Sequence, residues 1–132
     1  MSAQIIHAYY AAFNAADYPG MLGLLTNDVV HDVNQGEREV GKDRFAVFLS
    51  RMNDAYREQI IDLTVLADES GTRFAAEFKV VGSYVKGEPG FPAANGQRYE
   101  LPAGAFFEVR DDKIARVTTY YNLSNWLAQV GG

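Results

Sequence analysis

The sequence predicts an α+β fold, a curved and largely antiparallel sheet with helices packed on its concave face, and three observations carry that expectation. The stretch from Gln97 to Gln129 holds two strands, the turn between them and a closing helix in one run. Helical spacing dominates the first third of the chain and period-two alternation the rest, so helices and sheet are segregated. Pro102 lacks a ladder donor and Gly104 lacks a side chain, so the strand that carries them is expected to bend or bulge there and make the sheet concave.

Taken in order, Ile5, Tyr9, Ala12, Phe13 and Ala16 recur at helical spacing and predict a first helix over Gln4 to Ala16. Asp17 before Tyr18-Pro19 reads as a cap with proline in the first turn of a short second helix through Leu25. Val29 to Asn34 is a short strand, Gln35-Gly36 a turn and Glu37 to Val40 the return strand. Phe45, Phe48, Leu49 and Met52 share a face and predict a third helix over Lys42 to Met52. Ile61, Leu63, Val65 and Ala67 alternate with polar neighbours, Asp68 to Gly71 turns the chain, and Phe74 to Tyr84 continues the alternation. Lys86 to Gly96 is rich in Gly and Pro and reads as a loop at the rim of the sheet. In the last hairpin Tyr99, Leu101, Ala103, Ala105, Phe107 and Val109 share one parity, Asp111-Asp112 reverses the chain, and Lys113 to Asn122 returns. Ser124 to Val130 closes as a helix.

With 132 residues and no linker or repeat, residues 1–132 are expected to form a single domain with a self-sufficient core. The absence of cysteine excludes disulfides, thiol nucleophiles and thiolate zinc sites, and fits a reducing, cytoplasmic location. A net charge of −5 without a Lys/Arg-rich run argues against nucleic acid, and no stretch is long enough to cross a membrane. Nor does the amino terminus have the form of a secretory leader. His7 and His31 lie far apart with no compact acidic set, so no metal is expected. Eight Tyr, eight Phe and one Trp supply the walls of an aromatic hollow.

The stretches YYAAFNAADYPGMLGLLTNDVVHDV, GKDRFAVFLSRM and GAFFEVRDDKIARVTTYYNLSNWLAQVGG resemble the nuclear-transport-factor-2-like superfamily, in its ketosteroid isomerase-like and SnoaL-like polyketide cyclase branch. The resemblance spans nearly the whole chain and implies a cone-shaped fold. It also implies a cofactor-free enzyme that moves a proton next to a carbonyl, as in isomerisation or cyclisation, on a small hydrophobic ligand. On this resemblance the isomerase's oxyanion tyrosine falls on Tyr9, five positions before Asn14, and its base on Asp32 when one gap is allowed or on Val33 without the gap. No acid stands near Gly104 or Ala105 to complete the isomerase's oxyanion hole, and the cyclase's aspartate is replaced by Asn122, seven residues before Gln129. An amide orients a carbonyl but does not trade a proton.

Alternation lets only one of His31 and Asp32 face the hollow, and either could serve there as base. The competing reading makes the pair a strand end, with Asp32 capping the turn at Asn34 to Gly36. Tyr9 is either a donor to a developing enolate or a core residue. Arg116, Thr118, Tyr120 and Asn122 share a parity, with Asn122 placed inward by the resemblance, so Arg116 either meets a ligand anion or pairs with Glu108. Tyr84, Tyr99 and Phe107 are expected to line the hollow with Tyr120. The outer sheet face, with Phe106 and Tyr121 on it, would need cover, which a homodimer supplies. A non-catalytic binder of hydrophobic ligands is the alternative to an enzyme.

Overall fold

The structure, a computed structural model, describes residues 3–131. Helix α1 (Gln4–Asn14) is followed by α2 (Tyr18–Gly23), then strands β1 (Leu25–Asp32) and β2 (Arg38–Val40), helix α3 (Lys42–Ala55), the long strands β3 (Tyr56–Ala67), β4 (Arg73–Tyr84), β5 (Gln97–Arg110) and β6 (Lys113–Tyr121), and helix α4 (Leu123–Val130). The six strands form an open mixed sheet in the order β2-β1-β6-β5-β4-β3. All pairings are antiparallel except β1 with β6, which is parallel. This α+β arrangement is that of the nuclear-transport-factor-2-like cone.

The hairpin β5–β6 organises the sheet, and its reversal at Asp111-Asp112 puts both residues at positive φ, 52° and 61°, as a tight hairpin turn requires. Tyr99, Leu101, Ala105, Phe107 and Val109 are buried along one face of β5. Their cross-strand partners on β6 are odd-numbered: Phe107 pairs Val117, Ala105 pairs Thr119 and Ala103 pairs Tyr121. The inward parity of β6 is thus Val117, Thr119 and Tyr121, not Arg116, Thr118, Tyr120 and Asn122. Asn122 lies past the strand end, where its side-chain oxygen accepts from the amide of Asn125 (3.1 Å) and caps α4.

The expected bulge at Pro102 and Gly104 is absent, because β4 and β5 pair without a break from Arg73/Glu108 to Tyr84/Gln97. Gln129 of α4 explains how proline fits. Its amide donates to the carbonyl of Glu100 and accepts from the amide of Glu100, both at 3.0 Å, on the side of β5 away from β4. Backbone groups two residues apart point the same way, so Pro102 turns its missing N–H to the side where β6, ending opposite Ala103, has run out. The register shifts lie elsewhere, between Leu25 and Val30 on β1, at Glu108/Val109 and on β3 between Ile61 and Thr64. The last inserts one residue at Asp62 (φ 54°), so that Tyr56, Glu58 and Ile60 face inward before it and Leu63 and Val65 after it.

The helices cover the hollow face. Ile6, Tyr9 and Tyr10 of α1 are buried, a stripe shifted from the expected one, and Ala16 lies beyond the helix. Asp17 accepts from the amide of Gly20 (3.0 Å) at the start of α2. Gly41, at φ 110°, joins β2 to α3 and donates its amide to the carbonyl of Val29 (2.8 Å), a conformation that favours glycine. Asn14 at the end of α1 reaches the free edge of β3, donating to the carbonyl of Ile60 (3.0 Å) and accepting from its amide (2.8 Å), so one side chain takes the place of a neighbouring strand. No helix among the described residues is long and apolar enough to cross a membrane.

Candidate functional site

Between the helices and the concave face lies a cavity of about 210 Å³. It exceeds the roughly 150 Å³ that a single benzene needs in an apolar protein interior, so it has room for a one- or two-ring molecule. Tyr9, Tyr10 and Phe13 of α1, Phe45 and Phe48 of α3 and Trp126 of α4 wall it, with Phe78, Leu101 and Val117 from the sheet. Polar groups are few: His31, Asn34, Glu58, Thr119 and the hydroxyls of Tyr9, Tyr10, Tyr56 and Tyr121.

Glu58 is the one carboxylate on the wall. It faces Gly82 across the β3–β4 pair, and Gly82 in turn faces Tyr99. A Cβ at Gly82 would sit 2.8 Å from both the Glu58 Cγ and the Tyr99 hydroxyl, so glycine makes the space in which the two side chains meet. Tyr99 donates its hydroxyl to Glu58 Oε2 at 2.5 Å. Burial raises the pKa of Glu58, opposed by the Tyr99 hydrogen bond; burial also raises that of Tyr99. A carboxyl so placed is a stronger base than one in water.

His31 enters from β1, whose register pairs it with the inward Val117. It is 6% exposed and clasped by Phe45 and Phe48, with ring centroids 4.9 and 4.5 Å away. Burial lowers its pKa against the raising influence of Glu39 and Asp32. Tyr9 and Tyr10, ring to ring at 5.2 Å, stand over Phe107, and burial raises both their pKa values. Near α4 the Tyr56 hydroxyl donates to Glu88 Oε1 (2.7 Å), while Arg51 lies 3.7 Å from Glu88 Oε2. Among the described residues no three His, Asp or Glu side chains converge on a possible metal position.

The sequence profile of the SnoaL-like domain family matches residues 6–117. The chain belongs to that family. Three solved structures described as "putative polyketide cyclase" are similar to this SnoaL-like domain over nearly its whole length. The one from Pseudomonas putida KT2440 is 56% identical, covers 98% of each chain and has a TM-score of 0.96. The one from Xanthomonas campestris pv. campestris is 55% identical over 96% of this chain and 94% of its own, with a TM-score of 0.93. That from a Silicibacter species is 48% identical over 98% and 94%, with a TM-score of 0.95. No curated protein matches the chain.

Of the residues singled out from the sequence, the SnoaL-like domain brings His31 and Tyr9 to the cavity wall. Asp32 faces the other way. Its carboxylate takes two hydrogen bonds from Arg38 (2.6 and 3.1 Å) and one from Arg116 (2.9 Å), and Arg38 foremost holds its pKa below the usual carboxylate range. Asn34, which the turn reading made a partner of Asp32, lines the cavity instead. Arg116 lies on the outer face, bonded to Asp32 and 3.7 Å from Glu108, so its ion-pair reading is the one the geometry realises. Tyr120 is 51% exposed beside Phe106 (5.7 Å), whereas Tyr121 faces the cavity, which reverses the expected places of the two tyrosines. Tyr84 is buried but staples the loop, donating to the carbonyl of Pro92 (2.7 Å) and accepting from the amide of Glu88 (3.0 Å). Phe107 lies beneath the wall and Tyr99 acts on the cavity through Glu58. Sequence reasoning passed over Glu58 itself. The available signal was Tyr56, Glu58 and Ile60 at one parity, an acid between two residues that belong inside.

Proposed function

We propose that this SnoaL-like domain is a cofactor-independent enzyme of isomerase or cyclase type, moving a proton next to a carbonyl inside the aromatic cavity. The observation that carries the reading is Glu58: a carboxylate in a largely aromatic and aliphatic wall, fixed by the Tyr99 hydroxyl at 2.5 Å and made more basic by burial. Glu58 takes the proton from a carbon beside a ligand carbonyl. The C–H electron pair moves into an enolate, and the proton now on Glu58 returns either to another carbon, giving an isomer, or to the alkoxide formed when the enolate carbon attacks a second carbonyl. Tyr9 and Tyr10, whose hydroxyls keep their protons, are suited to donate to the enolate oxygen. A positioned base of this kind contributes about 10²–10⁴-fold.

The test is α-C–H exchange of a panel of enolisable cyclic ketones and β-diketones in deuterium oxide, followed by proton NMR. Wild-type protein is expected to accelerate exchange of at least one compound, and Glu58→Gln to lose about 10²-fold or more of that acceleration. Equal rates in the two proteins would sink the assignment of Glu58 as base.

A second reading, a non-catalytic binder of hydrophobic ligands, draws support from Asn122 standing as a helix cap and from Asp32 being engaged by two arginines outside the cavity. Ligand-induced thermal stabilisation with no exchange of any bound ketone would favour it. For the outer face, where Phe106 (46% exposed) and Tyr120 form an uncovered aromatic pair, we propose a second copy of the chain as cover. Sedimentation at micromolar concentration tests this, a monomer counting against it.

A further inference from the structure

His31 carries a polar atom that nothing in the fold uses. Its Nδ1 is fully enclosed and has no hydrogen-bond partner among the described residues, although the ring itself borders the cavity. A neutral imidazole has one N–H and one bare nitrogen. Folded proteins leave a buried N–H without an acceptor more rarely than they leave an acceptor underused, because an N–H has one proton to place and loses its whole bond when no acceptor meets it. The enclosed Nδ1 is therefore the bare nitrogen. An imidazolium would force an N–H onto that same closed position.

The surroundings act in the same direction. Phe45 stands tilted at 54° and Phe48 edge-on at 75° to the imidazole, and neither ring carries a nitrogen or oxygen acceptor for it. Two acids bear on it through space, Glu39 and Asp32, but Arg44 lies 3.7 Å from the first and Arg38 and Arg116 bind the second. Burial prevails and keeps the imidazole neutral. The other titratable groups around the cavity are Glu58 and the hydroxyls of Tyr9, Tyr10, Tyr56 and Tyr121.

We propose that His31 holds its single proton on Nε2 and uses that N–H to bind the carbonyl or enolate oxygen of the ligand, acting as a hydrogen-bond donor and not as the base. This rests on the proton-transfer reading given above for the direction of the chemistry, and it divides the labour of that reading: Glu58 moves the proton, His31 holds the oxygen on which charge develops. A neutral donor suits this task because it stabilises the enolate without protonating it outright. The ligand class follows. The atom that meets His31 is an acceptor oxygen of a ketone or enol, and a ligand presenting an amine there leaves two donors face to face.

Two measurements on the full chain test the proposal. Long-range nitrogen–proton correlation spectra of protein labelled with ¹⁵N in histidine report the tautomer directly, with no dependence on turnover. The expected pattern for His31 is a protonated Nε2 and a bare Nδ1, unchanged by Glu58→Gln; the opposite tautomer, or an imidazolium at neutral pH, overturns the proposal. The second measurement uses 1-tetralone as probe and the infrared carbonyl stretch of the bound ketone as signature. His31→Gln, which places an amide N–H near the Nε2 position, is expected to keep the hydrogen-bonded shift; His31→Asn, which places it near Nδ1, and His31→Phe are expected to lose it, with affinity falling about tenfold. Tetralin, the same skeleton without oxygen, serves as control for the shape of the cavity and should bind wild type and His31→Phe alike. A carbonyl shift that survives in His31→Phe refutes the assignment of the donor. Loss of Glu58-dependent exchange with the Nε2–H tautomer and the carbonyl shift intact would instead remove the proton-transfer reading and leave the oxygen site standing.

Discussion

Replacing Asn14 by alanine is expected to destabilise the fold by about 2 kcal/mol. The figure comes from the two hydrogen bonds that the side chain makes to the amide and carbonyl of Ile60, at 2.8 and 3.0 Å, each worth about 1 kcal/mol net. Both Ile60 groups sit on the free edge of β3, and Ile60 is only 8% exposed, so water replaces the lost partner poorly. Urea denaturation followed by Trp126 fluorescence measures the loss; in a domain of this size it corresponds to a fall in Tm of about 6 °C. Asn14→Asp sharpens the test. A carboxylate still accepts from the Ile60 amide but turns a second acceptor toward the carbonyl, and only the protonated acid restores the donor. Its deficit relative to wild type should therefore shrink as pH falls toward the unfolded value of about 3.9 and level off below it. A loss under about 0.5 kcal/mol for Asn14→Ala, at the lower end for a single hydrogen bond, would refute the idea that this amide substitutes for a strand.

Three other outcomes are expected. Glu58→Gln should stabilise the protein at pH 8 and change little at pH 4: burial raises the folded-state pKa, so wild type holds its full stability below the unfolded value of about 4.3 and loses part of it as pH rises toward the folded value; an equal difference at both pH values contradicts this. Asp32→Asn, on the outer face, should cost at most about 1 kcal/mol at pH 7 and progressively less as pH falls below about 3.9, since a depressed folded-state pKa gives stability that is present above the unfolded value and lost on acidification, and it should leave ketone exchange unchanged. Gly82→Ala should lower exchange far more than stability, because the added methyl meets the Glu58 and Tyr99 side chains at 2.8 Å and displaces the carboxylate; urea midpoints and exchange rates measured on the same samples separate the two effects.

The last hairpin was legible because its first strand has unlike faces, apolar against charged, and because Asp111-Asp112 can adopt the positive φ of a tight turn. The return strand was not, and the reason is physical. Thr118-Thr119 and Tyr120-Tyr121 put like residues on both faces, and the two contrasts that remain disagree in parity, Ile114 against Lys113 and Val117 against Arg116, because one extra residue lies between positions 114 and 116. Even Thr118, on the outer side, is buried, its hydroxyl bonded to the carbonyl of Asp32. At positions 31 and 32 the alternation correctly required a choice, but the choice depends on which edge of β6 receives β1, a contact more than 80 residues away in sequence. Glu58 went unnoticed for a different reason. An acid in a strand reads as solvent-facing, and what makes room for this one is a glycine on the adjacent strand.

The surplus residue at Asp62 has a consequence for how this edge can change. It reverses the sequence parity of β3, so that even-numbered residues face inward before it and odd-numbered ones after it. A chain shortened by that single residue, with its hairpin register kept, would set Leu63 opposite Phe78 and leave Glu58 opposite Gly82, so the acid stays in the chamber and only the local kink is lost. Counting parity along the sequence through this point misassigns one half of the strand, whereas a gap of one residue here in a comparison of sequences moves no side chain across the sheet.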